Sequence, residues 1–427
     1  MKKVRIHISK LGPIVGQEIE LAQLMLFTGD SNMGKSYTNF LCYYVFNLSV
    51  SDRLNEFLLA RMQEYTDSVN QYSFTIKTDD LRLWMENDVK RFFGYLLAYP
   101  EIECNIHFYF DEAPETIQIS VIEHAIEPAL EEVDSKLLSV QLTVNEKPLD
   151  IRLSKTFKKE DLLGWIKYRI VQELTGNVVL NSLMMPPGRA SLLSGSFTTQ
   201  KGISKMGLYE IFLVDNDKVN FRALRSTSLK EDQQFFISRI RKLLGGDLVF
   251  GQNGLEFKLE TGQTIPIEAA ASSIKELAPI LMWIKGSSTM QYDSICIEEP
   301  EAHCHPMMQS QLSDLLVACI NKGTTMQITT HSDYMLKRFN ELLRLNDLKE
   351  TNLDKFERYC TKYQHGRNLT LDQNKIKAYY FYYSPEEKCV KIEHQDLSEG
   401  IPFDSFSKIV DKEIEFDDFI SGNDEDM

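Results

Sequence analysis

The chain has 427 residues, 43% of them hydrophobic and 26% charged, with 47 basic against 62 acidic side chains for a net charge of −15. This length exceeds one compact core and predicts two lobes or one core with a large insertion, while the acidic balance argues against a protein that coats nucleic acid through a basic surface. No apolar run approaches the roughly 18 residues of a membrane span, the N-terminus has no signal-peptide core, and seven scattered cysteines without a CxxC pair fit reduced thiols, so a cytoplasmic protein with no membrane partner is expected.

Residues 4–8 and 17–21 alternate like two short strands around Gly12-Pro13. The apolar run Leu24-Met25-Leu26-Phe27 then feeds Gly29-Asp30-Ser31-Asn32-Met33-Gly34-Lys35-Ser36, a complete GxxxxGK[ST] loop, and a helical stretch follows over 37–45. Strand, glycine-rich loop and helix are the setting in which backbone N–H groups and the helix dipole cradle phosphates. Lys35 is placed to reach the β- and γ-phosphates, and the Ser36 hydroxyl to ligate Mg²⁺. The chain is therefore expected to bind a nucleoside triphosphate, ATP, with Mg²⁺.

From 51 to 100 the pattern turns helical, with Leu54, Phe57, Leu58, Met62, Leu81, Leu83, Val89, Phe92, Phe93 and Leu96 at three- and four-residue spacings. Residues 102–110, 116–121, 138–144 and 150–153 alternate like strands, and 162–174 reads as an amphipathic helix. The segment 51–180 holds no nucleotide motif. It is predicted to be a mainly helical insertion, for dimerisation or partner binding, in a core made of 1–50 and 181–427.

An apolar run ends at Pro186-Pro187-Gly188-Arg189, which suggests a core strand. Arg222, Arg225, Arg239, Arg241 and Lys242 form either a local basic patch or a solvated helix face. Residues 248–250, 255–259 and 264–267 look like hairpin strands, with Gln252-Asn253-Gly254 as a turn. Residues 272–283 read as a helix capped by Ser272 or Ser273. Short buried strands are expected at 294–297, 325–329 and 378–383, spaced for crossover helices. The stretch 411–427 is an acidic tail.

The acidic half of a nucleotide site lies in Ser294-Ile295-Cys296-Ile297-Glu298-Glu299-Pro300-Glu301-Ala302-His303-Cys304-His305-Pro306. A buried strand ending in two acids is a Walker B arrangement. Glu298 would hold Mg²⁺, directly or through water, and Glu299 would orient and activate the attacking water. His303, Cys304 and His305 invite a zinc reading, yet adjacent loop residues cannot easily face one ion and no partner pair is present. Cys296 reads as a small buried hydrophobe, and His107 and His124 as ordinary polar or core residues.

Glu-Glu-Pro-Glu-Ala-His followed by His-Pro resembles the Walker B and D-loop signature of ABC-type ATPases of the OLD class (overcoming lysogenization defect), relatives of the SMC-like repair ATPases. Gln327-Ile328-Thr329-Thr330-His331-Ser332 resembles their last core strand and switch histidine, which senses the γ-phosphate. Ala271-Ser272-Ser273 resembles their signature, which contacts the nucleotide of the opposite subunit, although Ile274 stands where the family usually has glycine. Pro187-Gly188-Arg189 is similar to a Pro-x-x-Arg element of the class; the Q-loop glutamine is not assigned.

The resemblance implies an α/β P-loop NTPase fold, an ABC-type ATPase head, with ATP and Mg²⁺ as cofactors. It implies Glu299 and His331 as catalytic residues, Ser36 and Glu298 as metal ligands, and the loop 29–36 with Ser272 and Ser273 as nucleotide contacts. A homodimer or higher homo-oligomer with composite ATP sites follows from it. The larger members carry a Toprim nuclease, for which the roughly 95 residues after His331 are expected to be too few. The resemblance extends to stand-alone ATPases paired with a separately encoded nuclease, as in the PARIS and Septu anti-phage systems. A sensor that restrains an effector and responds to a phage trigger is the leading expectation. An SMC-like repair ATPase acting on DNA is the alternative; it predicts a basic channel and sustained heptads, which 51–180 lacks. A nuclease in its own right is the third reading, and no second acidic cluster supports it.

Overall fold

The computed structural model describes residues 1–62, 71–125, 137–154, 162–193, 207–225, 231–251, 254–287, 290–402, 412–417 and 420. Strands β1 (Val4–Leu11) and β2 (Ile14–Glu20) form an antiparallel hairpin, and β3 (Leu24–Gly29) leads through the phosphate loop into α1 (Lys35–Asn47). Next come α2 (Asn55–Met62), β4 (Gln71–Lys77), α3 (Thr78–Leu96), β5 (Cys104–Phe110), β6 (Thr116–Ala125), β7 (Leu137–Val144), β8 (Lys147–Ser154) and α4 (Leu163–Thr175). The chain continues with β9 (Asn181–Met185), α5 (Arg189–Leu193), α6 (Gly207–Arg225), α7 (Glu231–Leu244), β10 (Gly246–Gly251), β11 (Gly254–Leu259), β12 (Thr264–Pro266) and α8 (Ser272–Gly286). The last part holds β13 (Asp293–Glu298), α9 (Pro306–Asn321), β14 (Thr325–Thr329), α10 (Asp333–Thr351), α11 (Leu353–Tyr363), β15 (Ile376–Ser384) and β16 (Cys389–His394).

Nine strands form the main sheet in the order β5-β1-β2-β16-β15-β3-β14-β13-β9. From β15 to β9 all neighbours run parallel, whereas β5-β1-β2 and β15-β16 pair antiparallel. Every residue of β3, β13 and β14 is buried, as expected for strands covered on both faces, and buried polar side chains such as Ser294 and Gln327 interrupt the apolar runs of β13 and β14. The two faces of β3 divide the core. Met25 and Phe27 join a cluster with α1, α3 and α4, while Leu24 and Leu26 join one with α8, α9 and α10. In a parallel sheet the ligand crevice lies beyond the carboxyl ends of the strands, and both nucleotide motifs emerge there, from β3 and β13.

Residues 51–180 alternate helices with strands. β4, β6, β7 and β8 make a separate antiparallel sheet, and β5 is the edge strand of the main sheet itself. The segment thus brings a β layer as well as the helices expected of it. Leu54, Phe92, Ile119, Val140 and Ile166 share one hydrophobic cluster with Ile6, Phe27 and Tyr44, so packing continues across residue 50.

The basic residues on α6 and α7 do not pool their charge. Arg241 pairs with Asp247 at 2.9 Å, Arg239 with Asp314 at 3.8 Å, and Arg222 donates to Asn181. The Arg225 side chain, Gln252, Asn253 and most of 411–427 lie outside the described residues, as does the His124 side chain. The His107 ring Nδ1 lies 3.4 Å from the Glu86 carboxylate, and Cys296 is fully buried in β13.

Gly29 sits where β3 ends against β15, paired with Phe381, at φ 113°. A Cβ there would lie 2.1 Å from the Phe381 carbonyl oxygen. Gly29→Ala is expected to lower stability by about 2 kcal/mol or more, because strand pairing and backbone conformation must both give. Denaturant unfolding measures this; an unchanged midpoint would mean the strands separate there at no cost.

Candidate nucleotide site

The phosphate loop turns through three left-handed residues, Gly29, Asn32 (φ 64°) and Gly34 (φ 84°). Asp30, Ser31 and Asn32 form its exposed tip, while Met33 and Gly34 are half-buried. Gly34 occupies the N-cap of α1 without any side-chain cap, so the first N–H groups of the helix stay available to an anion. Lys35 is 6% exposed, and its ammonium donates to the Gly29 carbonyl at 2.9 Å and the Asp30 carbonyl at 2.6 Å. Burial pushes this ammonium down to about 8, against the pull of Glu298, Glu299 and Asp30.

Glu298, at the end of β13, is 1% exposed. Its carboxylate accepts from the Ser36 hydroxyl and from the Asn39 amide, which stand three residues apart on one face of α1. Burial raises its pKa, and these two donors oppose the shift. Two oxygen donors of different chemistry, a hydroxyl and a carboxylate, are thus held together beneath the phosphate loop, a set that suits a hard cation.

Glu299 bends the chain at φ 44°, held by its N–H to the Thr329 carbonyl at 3.1 Å and hydroxyl at 3.3 Å. Its half-buried carboxylate accepts no hydrogen bond among the described residues. Glu301 has the opposite environment. It is half-buried and accepts from the Thr330 hydroxyl at 2.8 Å and the His331 N–H at 2.7 Å, so it ties the loop after β14 to the loop after β13. His331 itself lies in the field of Lys35, Glu299 and Asp30, and burial together with the Lys35 charge lowers its pKa.

Arg189 is fully buried. Its guanidinium donates to the carbonyls of Pro186 and Glu298 at 2.7 Å, of Glu276 at 3.2 Å, and of Met185 and Glu299 at 3.3 Å, and it pairs with the Glu276 carboxylate at 3.4 Å. The Glu276 carboxylate also accepts from the Ala190 N–H at 3.1 Å, joining α8 to α5.

The structure therefore brings together the phosphate loop, Glu298, Glu299 and His331. It places Ser272 and Ser273 elsewhere: at the start of α8, Ser272 lines a cleft of about 490 Å³ with Gly188, Ser191, Lys275 and His303. Neither serine caps the helix through its side chain, contrary to expectation, because the N-cap is Ala271. His305 caps α9 through its ring and Cys304 is buried, so these neighbours serve the helix start and the core. Asn39, Glu276 and Glu301 were not anticipated. An amide three residues after Ser36, on the same face of α1, was the available signal for Asn39; the other two needed tertiary contacts to be seen.

A family model described as an AAA ATPase domain matches residues 199–336, a span that contains α8, Glu298, Glu299 and His331 and begins after the phosphate loop. No curated protein matches the chain. Among solved structures it is similar to an Smc head bound to the C-winged helix domain of ScpA, at 12% identity over 93% of this chain and 98% of that one, with a TM-score of 0.37. It is also similar to the SMC head domain from Thermotoga maritima, at 9% identity over 93% and 100% with a TM-score of 0.36. A third similarity is to the Smc head domain with an extended coiled coil, bound to the C-terminal domain of ScpA, from Pyrococcus furiosus, at 10% identity over 96% and 99% with a TM-score of 0.36. At these values they assign this chain neither a partner nor an activity. The phosphate loop, the mixed sheet and the matched span define an α/β P-loop fold carrying an ATPase domain.

The depressed Lys35 gives the site a pH signature. Between about pH 8 and the usual lysine value of 10.5 the unfolded chain binds a proton that the folded chain has lost, so stability without ligand rises with pH across that window. Nucleotide needs the charged form, so affinity should fall about tenfold from pH 7 to pH 9, with proton uptake on binding at the higher pH. Calorimetry in buffers of different ionisation enthalpy measures both; pH-independent affinity would show that Lys35 stays charged throughout.

Proposed function

We propose that this chain hydrolyses ATP with Mg²⁺ and works as a homodimer or higher oligomer whose nucleotide state controls a separately encoded effector protein, a nuclease or toxin, in defence against phage. The observation that carries the ATPase reading is the placement of Ser36 and Glu298 in direct contact beneath the phosphate loop, with Glu299 unclaimed beside them. Lys35 and the open N-terminus of α1 bind the phosphates. Ser36 and Glu298 would hold Mg²⁺, which when bound offsets phosphate charge. Glu299 orients a water and accepts its proton, and His331, anchored through its N–H to Glu301, faces the same charges from the β14 side.

The separation of Ser272 from the phosphate loop supports a composite site, since a serine at a helix N-terminus that meets no phosphate within its own chain is available to a partner's. The effector reading draws on the resemblance to stand-alone OLD-class ATPases and on the net charge of −15, which disfavours broad DNA binding.

Glu299→Gln should retain ATP binding and slow hydrolysis about 10²- to 10⁴-fold, since the amide keeps the shape and cannot take a proton. Steady-state turnover set against binding calorimetry decides this; wild-type turnover would place the base elsewhere. Purified alone, the chain should show ATPase and no nuclease activity, and expression with its neighbouring genes should co-purify an effector. DNA cleavage by the chain alone, lost on changing acids outside this site, would contradict the effector reading, and DNA-stimulated turnover with no bound partner would favour the repair reading.

A further inference from the structure

At the opposite end of the sheet, where α9 leads into β14, a cleft of about 630 Å³ opens between α7, α9, α10 and the stretch 366–375. Its charge runs against that of the chain. Lys322, Lys349, Arg367 and Lys375 line it with a single carboxylate, Asp372, in a protein of net charge −15. Arg367 pairs with Glu357 at 2.7 Å, whereas Lys349 and Lys375 have no carboxylate partner among the described residues. Both lysines are half-buried, their stems packed along the cleft wall. Asp372 is already engaged, accepting from the N–H and side-chain amide of Asn374.

The cleft also holds an aromatic surface. Phe235 is 41% exposed, with the Arg239 guanidinium over its ring at 4.6 Å. An exposed ring backed by a cation is a stacking platform for a base, and the lysines supply charge for phosphate. The cleft is prebuilt: the Asn321 amide donates to the carbonyls of Asn368 and Thr370 at 3.0 and 2.7 Å, fixing the 366–370 stretch to α9. Its volume lies within the range of small-molecule pockets and is too small for a duplex.

We propose that this cleft is a second nucleotide site, distinct from the phosphate loop, which takes a nucleoside phosphate with its base on Phe235 and its phosphates on Lys349 and Lys375. Such a site, across the sheet from the phosphate loop, would let a nucleotide act as a regulator without competing for the catalytic position.

Titration calorimetry with ATP and GTP tests this on the full chain. Wild type should bind two nucleotides per chain and the Lys35→Ala chain one. Adding Lys349→Glu and Lys375→Glu to Lys35→Ala should weaken the remaining site at least ~10-fold at an unchanged melting temperature. Phe235→Ala should weaken it roughly five- to hundredfold toward nucleotide. The same Phe235→Ala change should leave inorganic triphosphate binding unaffected. One nucleotide per wild-type chain and none for Lys35→Ala overturns the proposal. So does residual binding indifferent to the lysine changes, triphosphate binding as tightly as ATP, or a thymidine oligonucleotide binding more tightly than a mononucleotide. Because the readout is binding in a chain whose phosphate loop is disabled, it stands or falls apart from the ATPase reading.

Discussion

One buried guanidinium organises the acidic half of the site. Arg189 has five N–H donors and no acceptor, and full burial obliges them to find oxygen. They find it in the ends of β9 and β13 and in α8, three segments far apart in sequence. The carbonyls of Glu298 and Glu299 are among these acceptors, so the turn that presents the two carboxylates is held from behind by a charge. Removing one member of such a buried ion pair typically costs about 3–5 kcal/mol, because the other is left uncompensated. The stretch Glu298-Glu299-Pro300-Glu301 inherits its shape from this contact. The Ser272 end of α8 is tied to the same centre through Glu276.

Three glutamates within four residues then receive three different environments. Glu298 is enclosed and held by donors on α1; Glu301 is half-buried and held by donors from the β14 loop; Glu299 keeps a free carboxylate at a strained backbone position. Environment divides the work among identical side chains, as in enzymes that separate an acid from a base by burial alone. Strain at Glu299 is paid for by its two hydrogen bonds to Thr329, which lock the turn between adjacent parallel strands.

The central sheet places this constellation opposite the basic cleft. Strands β3, β13 and β14 carry the phosphate loop and acids at their carboxyl ends, while α9 delivers Asn321 and Lys322 to the other end. Rigid, fully buried strands separate the two regions, so a ligand at one end meets groups that the other end never touches. The added four-stranded sheet and β5 thicken the opposite side of the molecule and share its core rather than forming a detached module.

The sequence alone determined the parts whose signal is local. A glycine loop between an apolar strand and a helix, and a buried strand ending in paired acids, each declare their chemistry within a dozen residues, because backbone geometry and phosphate or cation binding are set by neighbours in the chain. The strands at 294–297 and 325–329 were legible for the same reason, since each is a short run rich in β-branched and apolar residues. Alternation likewise revealed strands within 102–153, yet it could not say that 104–110 would join the main sheet while its neighbours built another, because pairing is a long-range choice. Only the tertiary structure decided which side chains meet: Asn39 with Glu298, Glu301 with His331, and Arg189 with carbonyls on three segments. Apart from the bonds of Arg189 to the nearby Met185 and Pro186 carbonyls, these contacts span 30 to 259 residues of sequence, and burial, which forces polar groups to find partners, is what selects them.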